Sequence, residues 1–193
     1  MLNRRNFLKN TSLATGALLT GSALTNELMA EASPERLTIL HTNDVHSRLE
    51  PFPMDGGRNQ GLGGVAARAE QISRIRAEGG HVLLLDAGDI FQGTPYFNFY
   101  KGEPEFKAMA AMGYDACTMG NHDFDAGLEN FANQLQHGKL PLLISNYDFT
   151  RTAMEGKSKP YQVFRKGRLK IGITGVGIEM KGLVPDNLAG NTV

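Results

Sequence analysis

From Leu37 onward the apolar positions fall into short continuous runs separated by stretches of helical spacing. Leu37-Thr38-Ile39-Leu40-His41-Thr42 reads as a strand, followed by a Gly- and Pro-containing loop from Glu50 to about Gly64. Val65, Ala69, Ile72 and Ile75 then recur at helical spacing, with Arg68, Glu70, Arg74 and Arg76 on the other side, and Gly79-Gly80 stops that helix. Val82-Leu83-Leu84-Leu85 within His81–Asp86 is a run of strand length, suited to a sheet buried on both faces. Further on, the pattern predicts a helix from Glu103 or Pro104 to Met112 and a strand around Ala116–Met119. A helix over Leu128–Gln136 follows, then strands at Leu140–Ser145, Tyr161–Arg165 and Lys170–Val176. Strand–helix–strand alternation of this kind predicts an α/β fold whose ligand groups gather at the C-terminal ends of the strands.

Residues 1–32 stand outside this pattern. Arg4-Arg5 opens the segment, a mildly apolar Ala-, Gly- and Thr-rich stretch runs from Leu13 to Leu24, and Ala30 and Ala32 offer small residues for cleavage. The stretch is too short and too weakly apolar for a stable bilayer span. Arg4-Arg5-Asn6-Phe7-Leu8-Lys9 resembles a bacterial twin-arginine signal, with Asn3 where Ser or Thr is usual. An ordinary Sec signal is the alternative, and both place the mature protein in the periplasm or outside the cell. No cysteine lies near the cleavage region, so no lipid anchor and no stable membrane attachment is expected.

Composition narrows the field. With 20 basic and 20 acidic residues in 193, the chain lacks the basic excess of a nucleic-acid-binding protein, and no nucleic-acid partner is expected. Its length suits one domain, here residues 35–193. The single cysteine, Cys117, permits no internal disulfide and reads as a small buried apolar residue.

Three polar clusters follow three of the predicted strands: Asp44-Val45-His46, Gly88-Asp89 and Gly120-Asn121-His122-Asp123. Two positions apart, Asp44 and His46 can turn to one side and share a cation, although an Asp-x-His pair alone also reads as a helix cap beside a solvated imidazole. Asp89, after a glycine that permits a tight turn, can bridge two ions through its two oxygens. Asp86 competes with it but also reads as a turn former. The Asn121 carbonyl can bind a metal without adding charge. His122 can stabilise charge on a leaving group, given a carboxylate to orient it, and Asp123 and Asp125 are both near.

The series Asp-x-His, Gly-Asp, Gly-Asn-His-Asp resembles the calcineurin-like metallophosphoesterases. The segments His41–Pro51, Asp89–Thr94 and Met119–Asp125 are similar to secreted 5′-nucleotidases. The resemblance implies a layered α-β-β-α sandwich, with Asp44 and His46 on a first metal, Asp89 bridging and Asn121 on a second. It further implies that His122 contacts the phosphoryl group and is paired with Asp125, with Asp123 behind them. The implied cofactors are two divalent ions (Zn, Mn, Mg, Co or Ca). The implied reaction is in-line attack by a metal-bound hydroxide on a nucleotide or related phosphate ester, including UDP-sugars and cyclic nucleotides.

Other features carry less. The Gly-rich loop with Gly56-Gly57, Gly61 and Gly63-Gly64 lacks the Gly-Lys-Ser/Thr ending of a phosphate-binding loop. Phe91, Tyr96, Phe97, Phe99 and Tyr100 can stack a base, but core packing and domain contact are the expected roles; His41 is expected to be packed within its strand.

No histidine follows His137, so the later ligands that the resemblance implies, a lone His and a Gly-His-x-His segment, are missing. The expectation is therefore a sandwich incomplete at its C-terminal end, without the separate substrate-gripping C-terminal domain. The alternative is a catalytically silent fragment or binding module that keeps the fold.

Overall fold

The computed structural model describes residues 35–190 and Thr192. The signal-peptide reading of residues 1–32 lies outside the described residues. Five strands form a parallel sheet in chain order: β1 (Leu37–Thr42), β2 (His81–Asp86), β3 (Ala116–Cys117), β4 (Leu142–Leu143) and β5 (Ser158–Lys159). Sequential parallel order with right-handed crossovers sends every connecting helix to one face. Those helices are α1 (Val65–Ala77), α2 (Pro95–Tyr100), α3 (Glu103–Met112) and α4 (Gly127–Gly138), and α5 (Asp186–Ala189) packs against α4.

Period-two alternation divides the sheet residues between its faces. Leu84, Cys117 and Leu142 join the helix-side core with Phe91, Phe106 and Phe131, whose rings meet at 5.5–5.7 Å. Leu83, Ala116 and Leu143 are equally buried but lie outside that cluster, on the opposite face. There the antiparallel hairpin β6 (Tyr161–Lys166) and β7 (Leu169–Thr174) provides the second sheet. Lys166 Nζ ties the hairpin to Asp115 Oδ1 at 2.7 Å, and Ser145 N donates to the Gly175 carbonyl at 2.9 Å. The architecture is thus mixed α/β with a parallel sheet, as the alternation predicted.

The differences are local. Pro95 opens a short helix, α2, where the sequence offered only an aromatic cluster. That cluster splits: Phe91 and Phe97 are core, whereas Phe99 is 80% exposed and Tyr100 56% exposed. The core-packing expectation thus fails for Phe99 and Tyr100, because a six-residue helix has only one face to bury. His41 is also exposed rather than packed, since the outer face of β1 carries it beside the 53%-exposed Ile39. β3 and β4 shrink to two residues each, although Thr118 N still bonds the Asp86 carbonyl and Cys117 N the Pro141 carbonyl. Cys117 is buried, as expected.

Candidate metal centre

β1 and β2 run side by side with Thr42 opposite Asp86, so the loops leaving them emerge together. The two loops then continue the pairing: Asp44 N donates to the Gly88 carbonyl at 3.0 Å, His46 N to Asp89 at 3.1 Å and Ser47 N to Ile90 at 2.9 Å. These bends need left-handed backbone. Asp44, His46, Ser47, Asp89 and Gln92 all have φ between 45° and 69°, five of the eight non-glycine positive-φ positions among the described residues. Asp and His tolerate that region better than most side chains, yet each still costs on the order of 1 kcal/mol. Strain concentrated on one loop pair is held there by surrounding bonds.

Two glycines let the third loop approach. Gly88 (φ 96°) lies so close to the Met119–Gly120 peptide that a Cβ would sit 2.4 Å from the Gly120 nitrogen. A Cβ on Gly120 would in turn meet Asp89 Oδ1 at 2.1 Å. His122 N therefore reaches Asp89 Oδ1 at 2.9 Å. Asp123, 1% exposed, closes the assembly by accepting the amides of Asp89, Ile90, Phe91 and Gly120 at 2.9–3.1 Å. Burial pushes its carboxyl up to about 7, against the pull of those amides.

One oxygen from Asp44, one from Asp89 and one ring nitrogen of His46 lie within 4.8 Å of one another. His46 Nε2 is 3.7 Å from Asp44 Oδ1 and 4.0 Å from Asp89 Oδ2. These separations are too long for hydrogen bonds. They suit atoms sharing one ion at about 2.0–2.2 Å each. The ring orientation fits as well. His46 Nδ1 lies 3.1 Å from the Phe91 carbonyl, which can only accept, so Nδ1 donates there and Nε2 is the atom that faces the two carboxylates. An imidazole nitrogen and two carboxylates, with no hydrogen bond among them, form a candidate donor set for a divalent cation.

Beside this triad stands His122, whose ring meets that of His46 edge-on with centroids 5.2 Å apart. Its Nδ1 is 3.0 Å from Asp125 Oδ2, and that hydrogen bond raises the imidazole's pKa, with partial burial opposing it. Asp123 makes no such contact, being occupied by the four amides. Asn121 precedes His122 at the start of a single 3-10 turn (His122–Phe124), and its carbonyl accepts from Phe124 N at 3.3 Å. Asp86 stays behind the site: Thr42 Oγ1 donates to it at 2.6 Å and Gly88 N at 2.9 Å, and burial pushes its carboxyl up to about 6.

Asp44, His46 and His122 open into a cavity of about 860 Å³, whose lining also includes Arg48, Arg68 and Gln92. Arg48 and Arg68 bring positive charge that the sequence reading assigned no role. Arg68 looked like part of the polar face of α1, and only the position of that helix turns it toward the cavity. Arg48 stacks its guanidinium 4.2 Å from the Phe52 ring centre.

Residues 37–177 match the family model described as calcineurin-like phosphoesterase. A snake venom 5′-nucleotidase of Gloydius brevicauda is 44% identical over 155 residues, covering 77% of this chain and 26% of that protein. The crystal structure of a 5′-nucleotidase precursor from Thermus thermophilus superposes with a TM-score of 0.67 at 38% identity, covering 73% of this chain and 28% of that one. The Haemophilus influenzae NAD nucleotidase gives a TM-score of 0.68 at 34% identity, over 75% and 27%. The chain thus spans little more than a quarter of the length of these relatives.

Proposed function

The chain belongs to the calcineurin-like phosphoesterase family, and from that membership we propose that the protein carrying it is a metal-dependent hydrolase of nucleotide phosphate esters. The observation that carries this reading is the Asp44–His46–Asp89 donor set standing beside the His122–Asp125 pair, with Asp44, His46 and His122 on the wall of one cavity. The nucleotidase names of the relatives support nucleotides as the substrate class, with UDP-sugars and cyclic nucleotides as chemically related candidates.

In this reading Asp44, His46 and Asp89 would hold a first divalent ion, and Asp89 and Asn121 would contribute to a second. Bound ions of this kind polarise the phosphoryl group and make water a competent nucleophile near neutral pH. The chain's own residues do the rest. Phe91 holds His46 in the tautomer that leaves Nε2 free, and the amide of His122 fixes the Asp89 carboxylate. Asp125 occupies Nδ1 of His122, which leaves Nε2–H to donate to the phosphoryl group or the departing oxygen. Arg48 and Arg68 give the cavity the positive charge an anionic substrate requires.

Residues 1–32 are assigned to a twin-arginine export signal and residues 35–193 to the N-terminal portion of the catalytic domain. The location is periplasmic or extracellular, in keeping with a venom enzyme and a precursor among the relatives. The remaining metal ligands and the nucleoside grip are assigned to sequence beyond this chain.

Hydrolysis of AMP by the full-length protein, with Mn²⁺ or Zn²⁺ added after chelation, tests the reading. Activity that returns with metal and vanishes in Asp89→Asn supports it. Metal binding without hydrolysis of any nucleotide supports a silent module instead.

A further inference from the structure

Directly behind the Asp44–Ser47 loop lies a small cavity of about 10 Å³, lined among others by Ser47, Arg68, Asp86, Ile90 and Glu105. Four of its polar atoms lack partners. Both carboxylate oxygens of Glu105, the Ser47 hydroxyl and the Arg68 Nε are buried without a hydrogen bond. Glu105 is 4% exposed and Ser47 1% exposed, so bulk water does not reach either residue. Burial raises the Glu105 pKa, opposed by close contact with the Ser47 hydroxyl and by Glu105's own backbone amide. Unpaired buried polar atoms are costly, and four of them on one cavity call for a bridging occupant. A volume of this size admits one water, and three or four polar partners are the number such a water takes.

We propose that Glu105, Ser47 and Arg68 bind one structural water beneath the metal loop, and that through it Glu105 acts as a positioning residue for His46. The positioning part rests on the metal-site reading above; the water does not. Ser47 directly follows His46 and shares its left-handed backbone, at φ 53°. Its carbonyl is already held by Thr94 Oγ1 at 2.8 Å and its amide by Ile90. The water fixes the remaining polar atom of Ser47 and links the loop to the first turn of α3, where Glu105 resides. Arg68 takes part on both sides, because it also lines the large site cavity. One charged side chain thereby joins the buried water to the wall where substrate would lie.

A crystal structure of the full-length protein, with Glu105→Gln and Glu105→Met variants, tests this. The expected result is one ordered water at about 2.7–3.2 Å from a Glu105 oxygen, Ser47 Oγ and Arg68 Nε. Direct Glu105–Ser47 bonding with no water, or a cation at metal-bond distances, would overturn it. Mn²⁺ affinity, read from free Mn²⁺ by electron paramagnetic resonance, should fall about 10-fold in Glu105→Met, which fills the cavity, with the metal-free melting temperature unchanged or higher. Glu105→Gln, which keeps the water, should stay within about 3-fold of wild type. Wild-type affinity in Glu105→Met, or an equal loss in both variants, overturns the positioning role. Wild-type protein that binds no Mn²⁺ fails the metal reading and the positioning role together, while the crystallographic water stands or falls by itself.

Discussion

The two imidazoles at the site share a neighbourhood but not a partner. His46 gives its Nδ1 proton to the Phe91 carbonyl, a neutral acceptor, and faces Asp44 and Asp89 with Nε2. His122, with its ring centre 5.2 Å away, gives Nδ1 to the Asp125 carboxylate, and its pKa is raised by that bond. In the proposed reading, the neutral acceptor behind His46 leaves Nε2 for a metal, and the carboxylate behind His122 supports a proton donor. The hydrogen bond on the far nitrogen, rather than the residue type, separates the two roles.

Asp123 joins both halves, so the largest expected effect comes from removing it. Asp123→Ala strips the acceptor from four amides at roughly 1 kcal/mol or more each, and a loss of about 4 kcal/mol is expected in urea unfolding. A loss under about 1 kcal/mol would mean that the two loops hold together without it. Next in size, Asp89→Asn in the full-length protein should cut metal-dependent hydrolysis by about 1,000-fold and weaken metal binding with it. Hydrolysis within a factor of two of wild type would remove Asp89 from the donor set.

Asp86 tests whether the site's rear wall titrates independently of the two imidazoles. Its folded pKa of about 6 lies above the ordinary 3.8, so the folded state keeps a proton that the unfolded chain has released. Stability should therefore fall as pH rises from about 4 to 6, by at most about 3 kcal/mol. Asp86→Asn should remove that share of the slope in pH-dependent denaturation while the share of Asp123, whose carboxyl is pushed up to about 7, persists; an unchanged slope would place the titration elsewhere.

The smallest effect sharpens the contrast most. Asp125→Asn should lower hydrolysis by about 10–100-fold while leaving metal affinity untouched, because it acts on the donor imidazole alone. Equal losses of both would erase the distinction between the two rings.

Much of this was legible in the chain. Continuous apolar runs such as Val82–Leu85 announced the buried parallel strands, and each polar cluster followed one of them. The aromatic stretch after Gly93 hid α2, because six residues give too little periodicity to read. His41 was misjudged since alternation along β1 does not reveal which face another layer covers. The work of Asp123 and Glu105 was hidden for a different reason. A carboxylate that binds backbone amides, or that faces a small cavity, depends on loops far apart in sequence. Gly88 and Gly120 were the available signal, since both mark places where backbone meets backbone.

Soaking crystals of the full-length protein with Zn²⁺ and locating the ion by anomalous scattering tests the central claim most directly. The account predicts a peak about 2.0–2.2 Å from His46 Nε2 and from an oxygen of each of Asp44 and Asp89. A peak on His122 instead, or His46 turned to bind through Nδ1, would contradict it.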